Sequence, residues 1–328
     1  KLIYLILIIS FGSFLTFGQT TEKEDIVRKK YKATRTETAP DIDGILNEEL
    51  WNIGIWENEF TQNRPYDGRP SKQRTEFKIL FDDNNLYVGI KCFDTSPDSI
   101  VNRLTRRDQA DGDLAGVIID SFHDLRTGFV FGVSSSGVKY DMLMSNDGSD
   151  EDNSWDPNWW VKTSINEEGW IAEMKIPFSQ IRFDKNSGDV WGFDVARILY
   201  RHNEQAFWQA IPRNAPGVIH LMGELYGLDE IKPRKILDVT PYGVAQAETF
   251  KKEAGNPFRE DGRKYKLNGG IDAKIGITNN MTIDLTINPD FGQVEADPSV
   301  VNLTAYETYF SEKRPFFIEG KNITSFNI

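Results

Sequence analysis

The sequence predicts an all-β fold, in which the larger part is an antiparallel β-sandwich, and three observations support this class. A hairpin is predicted between Glu76 and Asp94, where apolar residues alternate with others on both sides of the turn at residues 82–85. Short alternating segments then recur, separated by turn residues. Because no long helical pattern lies between them, the segments are typical of two packed antiparallel sheets.

The elements of the sandwich are predicted in chain order. A turn at Asp43 and Gly44 precedes a short amphipathic helix, in which Leu46, Leu50 and Trp51 share one face. Short strands follow, and their expected ranges are 75–82, 86–94, 115–122, 128–134, 137–144, 159–165, 169–176, 191–200 and 206–211.

The first 18 residues, KLIYLILIISFGSFLTFG, have the composition of a cleaved secretory signal peptide. The apolar run is short for a permanent membrane helix, although an uncleaved anchor stays the alternative. Residues 19–35 are polar and charged and predict a flexible lead-in. The single cysteine, Cys92, lies in a predicted strand and is expected to be a packed thiol. We therefore expect an exported protein of a bacterial envelope, held together by its core.

The charge balance argues against nucleic acid as a partner. The chain has 38 basic and 50 acidic residues and a net charge of −12, whereas a phosphate-binding surface needs a basic footprint. The arginines at 103, 106 and 107 are interpreted as a solvated face beside acids. Catalysis has little support, because the three histidines form no HExxH motif and neither a nucleophile elbow nor a phosphate-binding glycine loop is present. Paired carboxylates for glycoside hydrolysis stay open in so acidic a chain.

A second unit is predicted after about Pro233. Residues 266–277 and 281–288 alternate strictly between apolar and polar side chains, with a turn between them. A hairpin of a transmembrane β-barrel needs this pattern, and a soluble sheet with one wet face gives it equally, so periodicity leaves both open. A barrel would be incomplete, because closure takes at least about eight strands and only a few candidates follow Ile236.

Four segments, in order along the chain, carry a family resemblance. They read IDGILNEELW (42–51), ILFDDNNLYVGIKCFD (79–94), DSFHDLRTGFVFGVSSSGVKYD (120–141) and GWIAEMKIPFSQIRF (169–183). Together they resemble the family 9 carbohydrate-binding modules, in the form found in envelope proteins of Bacteroidetes, over residues 36–230. The tail INPDFGQVEADPSVVNLTAYETYFSEKRPFFIEG (287–320) resembles the start of an uncharacterised domain that follows this module and is an outer-membrane β-barrel. This resemblance implies that residues 231–328 begin such a barrel.

The resemblance implies a non-catalytic sandwich that holds a sugar between two tryptophans, often with bound calcium. Such modules are usually attached to glycoside hydrolases and so take part in carbohydrate catabolism. Carried over by position, the two tryptophans fall near Ala110 and Pro216, and an acidic sugar contact falls near Gly116. None of the three residue types is kept, so the resemblance supports the fold and not the family's own sugar contacts.

An acidic stretch between Asp141 and Trp160 is the candidate metal site. Closely spaced carboxylates repel one another unless they are solvated or bind a hard cation such as calcium. The spacing differs from that of an EF-hand loop, and a solvated acidic loop is the alternative. The candidate calcium ligands are Asp147, Asp150, Asp152 and Asp156.

Three tryptophans in the same stretch are the candidate sugar-binding residues, namely Trp155, Trp159 and Trp160. Flat apolar rings beside hydrogen-bond acceptors suit a sugar ring. The alternative is that two of the three belong to the core, since adjacent strand positions point in opposite directions. Four other tryptophans, at 51, 170, 191 and 208, are expected to pack the sandwich.

The expected function is non-catalytic binding of a glycan or oligosaccharide by an envelope protein, with the C-terminal unit in the outer membrane. The alternative is a structural, docking or plug domain of the barrel that does not bind sugar. A glycoside hydrolase activity would follow only from the association of the family with such enzymes.

Overall fold

The computed structural model describes residues 27–109, 111–183, 189–228, 231–232, 235–252, 254–256, 262–278 and 281–289. The predicted signal peptide and nearly all of the tail at 287–320 lie outside these residues. Within them the regular structure consists of three β-sheets and short 3₁₀ helices, with no α-helix. The all-β prediction is confirmed.

Seventeen strands occur in the described residues. They are β1 Lys30–Lys32, β2 Thr34–Arg35, β3 Thr61–Arg64, β4 Thr75–Phe81, β5 Asn85–Phe93, β6 Leu114–Asp120, β7 Gly128–Ser134, β8 Lys139–Ser145, β9 Asp150–Asp152, β10 Trp160–Asn166, β11 Gly169–Pro177, β12 Trp191–Leu199, β13 Glu204–Phe207, β14 Gly223–Tyr226, β15 Leu237–Thr249, β16 Arg263–Thr278 and β17 Met281–Ile287. The 3₁₀ helices are Glu49–Asn52, Pro97–Ser99, Asn146–Gly148, Tyr200–His202 and Ile219–Leu221.

Two of the sheets form the sandwich. A nine-stranded sheet has the order β1-β14-β12-β6-β7-β8-β9, and β13 joins it beside β12 and pairs with β3. A five-stranded sheet has the order β10-β11-β5-β4-β2. Almost all of these pairings are antiparallel, as predicted.

The main core lies between the two sheets and is built from alternating residues. The predicted inward faces of β4 and β5 are confirmed, since Phe77, Ile79 and Val88 are all fully buried. Cys92 is 1 % exposed, and burial raises the pKa of its thiol to about 12. The thiol is therefore a packing group, as the sequence predicts. The four tryptophans expected in the packing are all buried.

The prediction of a flexible lead-in is wrong for residues 30–35, because these residues form strands in both sheets. β1 runs parallel to β14, and β2 runs parallel to β4. Tyr31 is 3 % exposed. Its hydroxyl donates to the carbonyl of Ile55 (2.8 Å) and accepts the N–H of Ile79 (3.1 Å). Buried Tyr31 and Ala33 alternate with charged residues, and the surrounding lysines and arginines mask this short pattern.

Residues 41–56 cover the outer face of the five-stranded sheet. The predicted amphipathic helix is only the 3₁₀ helix Glu49–Asn52, although Trp51 does pack with Leu80 and Tyr87. Glu173 holds this segment, because one carboxylate oxygen accepts the N–H groups of residues 43 and 44 and the other accepts Nε1 of Trp51. Burial raises the pKa of Glu173 to about 7.

The third sheet consists of β15, β16 and β17 in antiparallel order. The alternating segments predicted at 266–277 and 281–288 are confirmed as strands. One face is apolar and exposed, for Leu267 is 82 % and Ile287 is 66 % exposed. The predicted barrel does not appear as a closed structure in the described residues, since β15 and β17 are the free edges of this sheet.

Candidate functional site

A groove of about 670 Å³ lies on the outer face of the nine-stranded sheet, on the side away from the main core. Its volume is within the range of roughly 300–1,000 Å³ that small-molecule sites occupy. The floor comes from β6, β7, β8 and β12, whose alternate residues point away from the core. Much of the floor is apolar, and its packed residues include Ile118, Val130, Met142 and Phe207.

One row of paired residues crosses the floor at right angles to the strands. In register order it runs Tyr140, Gly132, Gly116, Ala196 and Phe207. Neighbouring strands are about 4.8 Å apart, so the backbones of the two aromatic residues are about 19 Å apart. Three small residues between two rings therefore make a trough that is flat at its base and aromatic at its ends.

Gly116 is required at the base of this trough. A Cβ atom on Gly116 would lie 2.6 Å from Cα of Gly132 and would also collide with the carbonyl of Phe131. A glycine inside a strand often marks such a close approach of backbones. The trough is thus a consequence of strand packing at this point.

Polar side chains surround the apolar floor. Arg64 and Gln205 face each other across β3 and β13, and Arg213 lies on a neighbouring loop. Tyr140 is half-buried, and burial, Glu151 and Asp108 all raise the pKa of its hydroxyl. In the described part of the chain, neither the Tyr140 hydroxyl nor the Arg64 guanidinium has a hydrogen-bond partner. These groups are available to a polar ligand.

The first wall of the groove is the loop that carries Arg107 and Asp108. Arg107 binds the buried Asp141 at two points, with Nε 3.0 Å from Oδ2 and Nη2 2.5 Å from Oδ1, and it also pairs with Asp156. Trp159 donates from Nε1 to Oδ1 of Asp141 (2.8 Å). The arginines at 103, 106 and 107 were expected to form a solvated face. Arg107 instead anchors this wall through its two carboxylate partners.

Asp108 follows directly and lines the groove. Its N–H donates to the carbonyl of Lys139 (3.0 Å), and its Oδ1 accepts the N–H of Asp141 (3.0 Å). Burial raises the pKa of Asp108 to about 6; the carboxylates of Asp141 and Asp156 add to this, and Arg107 opposes it.

The second wall is residues 211–218, and the pair of Asp147 and His220 anchors it. The His220 N–H donates to Oδ1 of Asp147 (2.9 Å), and Nδ1 of the imidazole lies 2.5 Å from Oδ2. The carbonyl of Asp147 also accepts the N–H of Val218 (2.9 Å). Gly217 lies so close to the Asp147 carboxylate that a Cβ would collide with it.

The structure separates the three tryptophans predicted to bind sugar. Trp155 is half-buried and packs on Phe129 and Phe131, with ring centroids 5.3 and 5.4 Å apart. Trp159 was expected to contact the ligand, but it is 1 % exposed and lies in the core. Neither face of its ring is available to a sugar. Trp160 is the one exposed tryptophan of the eight, at 53 %, but it lies on β10 in the other sheet and outside the groove. The alternation of adjacent strand positions explains why the last two point apart.

The four predicted calcium ligands are also kept apart, because each binds a different partner. Asp147 binds His220, Asp150 binds Asn146, Asp152 caps Ser154, and Asp156 pairs with Arg107. No group of three or more His, Cys, Asp or Glu in the described residues could hold a metal ion. The carboxylates therefore do not fit a calcium site, and two of them fix the walls of the groove instead.

Sequence reasoning missed the residues that line the groove, above all Asp108, Tyr140, Gln205 and Phe207. One signal was available, because the isolated glycines at 116 and 132 interrupt strands and indicate close backbone approach. The alignment of residues 140 and 207 across the sheet depends on register and leaves no local pattern.

Two of the three positions to which the family resemblance carries its sugar contacts lie at this groove. Gly116 lies in the floor, and Pro216 lies in the second wall between two lining residues. The third position, Ala110, lies outside the described residues. The profile of the carbohydrate family 9 binding domain-like family matches residues 42–209, which is half of the chain. The chain belongs to this family.

The sandwich of this family 9 chain is similar to several solved structures. A family 9 carbohydrate-binding module from Caldicellulosiruptor kristjanssonii in complex with cellotriose has 19 % identity and a TM-score of 0.45, covering 63 % of this chain and 95 % of that one. A family 9 module of the same organism in complex with glucose has 18 % identity and a TM-score of 0.44, covering 63 % of this chain and 97 % of that one. A protein of Bacteroides uniformis with a proposed carbohydrate-binding role has 13 % identity and a TM-score of 0.49, covering 61 % of this chain and 99 % of that one.

Residues 233–327 of the family 9 chain match a second profile, described as a domain of unknown function (DUF5916). No curated protein matches the chain. Among the described residues, no helix has the length and the apolar character that a bilayer span requires.

Proposed function

We propose that the protein binds a carbohydrate in the groove of the nine-stranded sheet and does not convert it chemically. The cross-strand row that ends in Tyr140 and Phe207 carries this proposal. Sugar rings have apolar faces and polar rims, so they suit a floor that is apolar and aromatic with unpaired polar groups around it. Membership of a family described by carbohydrate binding supports the same function.

The chemistry of the rim fits recognition by hydrogen bonding. Tyr140 offers a hydroxyl, Gln205 an amide and Arg64 a guanidinium, and together they supply donors and acceptors for sugar hydroxyls. Unpaired groups at a pocket favour ligands that complete their hydrogen bonds. The proposed ligand is therefore an oligosaccharide that lies along the trough.

A calorimetric titration tests this proposal. Cellotriose and glucose, which are bound by the similar modules of Caldicellulosiruptor kristjanssonii, are the first probes, and a glycan array widens the search. We expect saturable binding that Tyr140→Ala weakens about tenfold, because the ring and its hydroxyl contact the ligand. Trp160→Ala is the matched control, an exposed aromatic outside the groove. Equal affinity for both variants, or no saturable binding to any glycan, would contradict the proposal.

The setting of this binding site is proposed to be the bacterial envelope, with the C-terminal unit in the outer membrane. The two faces of the third sheet support this. Ile271, Leu285 and Ile287 occupy one exposed face, while Asp272 and Thr286 occupy the other. An outward apolar face and an inward polar face are the pattern of transmembrane barrel strands. The signal-like first 18 residues fit export.

A substitution pair tests the membrane setting. Leu285→Lys places a charge on the apolar face, where lipid-facing charges cost about 2–4 kcal/mol near the bilayer centre. We expect it to deplete the protein from the outer-membrane fraction of expressing bacteria. Gln246→Lys adds the same charge on the polar face and should leave the fractionation unchanged. Equal recovery of both variants from that fraction would count against lipid contact at Leu285.

A further inference from the structure

One carboxylate is held rigidly at the edge of the proposed sugar groove. Asp108 is half-buried and fixed through its N–H to Lys139 and through its Oδ1 to the N–H of Asp141. Its Oδ2 has no hydrogen bond to the described residues. An ionised carboxylate has about four acceptor positions, and one of these is used here. Asp108 lines the groove, and the described residues leave its remaining acceptor positions unused.

The wall behind Asp108 fixes its position. Arg107 is bound at two points by Asp141, which in turn accepts the indole N–H of Trp159. The two-point geometry of an arginine and a carboxylate defines orientation as well as distance. Asp108 has a φ of 63°, a left-handed conformation that asparagine also adopts readily. The carboxylate is therefore placed before any ligand arrives.

We propose that Asp108 is a specificity-determining residue of the groove, and that its carboxylate accepts hydrogen bonds from neighbouring hydroxyl groups of an uncharged sugar and disfavours a sugar carboxylate beside it. This inference rests on the proposed function and names its substrate class. A charged acceptor binds hydroxyl groups more strongly than a neutral one. The same charge repels a carboxylate of the ligand that lies close to it.

The charged surroundings of Asp108 make this recognition depend on pH. The charges of Asp141, Asp156 and Arg107 act on it directly. The titratable and charged groups that line the same groove are Tyr140, Glu151, Arg64 and Arg213. Because its pKa is raised to about 6, Asp108 is ionised at pH 7.5 and largely protonated at pH 5. Affinity for an uncharged sugar is expected to fall as the pH drops through about 6.

Titrations of the full chain with cellotriose and with trigalacturonate, at pH 7.5 and pH 5, test the inference. Asp108→Asn keeps the oxygen that accepts the Asp141 N–H and removes the charge. At pH 7.5 we expect the variant to bind cellotriose about tenfold more weakly than the wild type, in line with a lost charge-assisted hydrogen bond. The affinity of the variant for cellotriose should be the same at both pH values. Its preference for cellotriose over trigalacturonate should be smaller than that of the wild type. Glu167→Gln, an exposed acid outside the groove, is the control.

The outcomes separate this inference from the proposed function. If Asp108→Asn melts like the wild type and binds cellotriose with the same affinity and the same pH dependence, the role of Asp108 is overturned while sugar binding stands. If the wild type binds neither trisaccharide nor any glycan of an array, the proposed function fails and this inference fails with it. The inference is supported if the affinity for cellotriose falls towards pH 5 in the wild type and stays constant in Asp108→Asn.

Discussion

The indole Nε1 of Trp159 lies 2.8 Å from Oδ1 of Asp141, and both side chains are buried. Asp141 also accepts hydrogen bonds from the guanidinium of Arg107. Arg107 directly precedes Asp108, which lines the groove. Trp159, which the sequence predicted to contact a sugar, thus supports the first wall of the groove. In the proposed site, Trp159 therefore acts only through the position of its neighbours.

The substitution Trp159→Phe separates these two roles. It keeps an aromatic ring in the core and removes the donor to Asp141, so a buried acceptor loses one partner. We expect the free energy of unfolding to fall by about 2–3 kcal/mol, measured by urea denaturation. Trp160→Phe, at the exposed neighbouring position, should change it by less than about 0.5 kcal/mol. Similar losses for both variants would contradict the structural role of Trp159.

The second wall is expected to loosen on substitution of Gly217→Ala. The added methyl group would collide with the carboxylate of Asp147, which binds His220. We expect faster amide hydrogen exchange in residues 211–222 and weaker sugar binding, while the main core keeps its protection. Gly243→Ala is the control, since a Cβ there meets no atom within 4 Å. Unchanged exchange in residues 211–222 would show that the wall tolerates the displacement of Asp147.

Asp194 is expected to set part of the pH dependence of stability. It is fully buried, and burial raises its pKa from 3.8 to about 8 in the folded state. As the pH rises from about 4 to 8, the unfolded chain ionises this group while the folded chain keeps it protonated. The free energy of unfolding therefore falls over this window.

The substitution Asp194→Asn tests this expectation, because the amide oxygen can still accept the N–H groups of Val195 and Gln209. The variant should melt at a higher temperature than the wild type at pH 8 and at a similar temperature at pH 4. The difference in melting temperature, followed by circular dichroism at several pH values, should grow between these limits. A constant difference would exclude titration of Asp194 as its cause.

Calcium is expected to leave the stability of the sandwich unchanged. The four acids of the 141–160 stretch that were candidate ligands are divided among separate protein partners, so they do not converge on one point. A ligand that binds only the folded state raises the melting temperature, and above its dissociation constant the stabilisation grows with the logarithm of the ligand concentration. The melting temperatures in calcium and in a chelator should therefore coincide, and an increase that grows with the calcium concentration would restore the metal hypothesis.

The sequence predicted the strands of the sandwich well because burial on one face imposes a period of two residues. The hairpin of β4 and β5 is an example, with Phe77 and Val88 on its buried face. Strands of two to four residues, such as β2 and β14, are too short to show that period. Parallel pairing of β1 with β14 joins distant parts of the chain and has no local signal.

The candidate site was far less predictable. The sequence predicted the acids of the 141–160 stretch as calcium ligands and its tryptophans as sugar contacts, but the protein partners of these side chains could not be inferred. Arg107 and His220 come from other segments, and they turn Asp156 and Asp147 into wall supports. The groove itself depends on register, which places Tyr140 and Phe207 in one row only after five strands have paired.

The parallel pairing of Lys30–Lys32 with Glu224–Tyr226 also has a mechanical consequence. The chain enters one end of this pair at Lys30 and leaves the other end at Tyr226. Tension between the segments before and after the sandwich therefore acts along both strands and loads their hydrogen bonds together, in shear. This strand pair bears the load at the edge of the sheet, so the trough on β6, β7 and β8 stays unstrained.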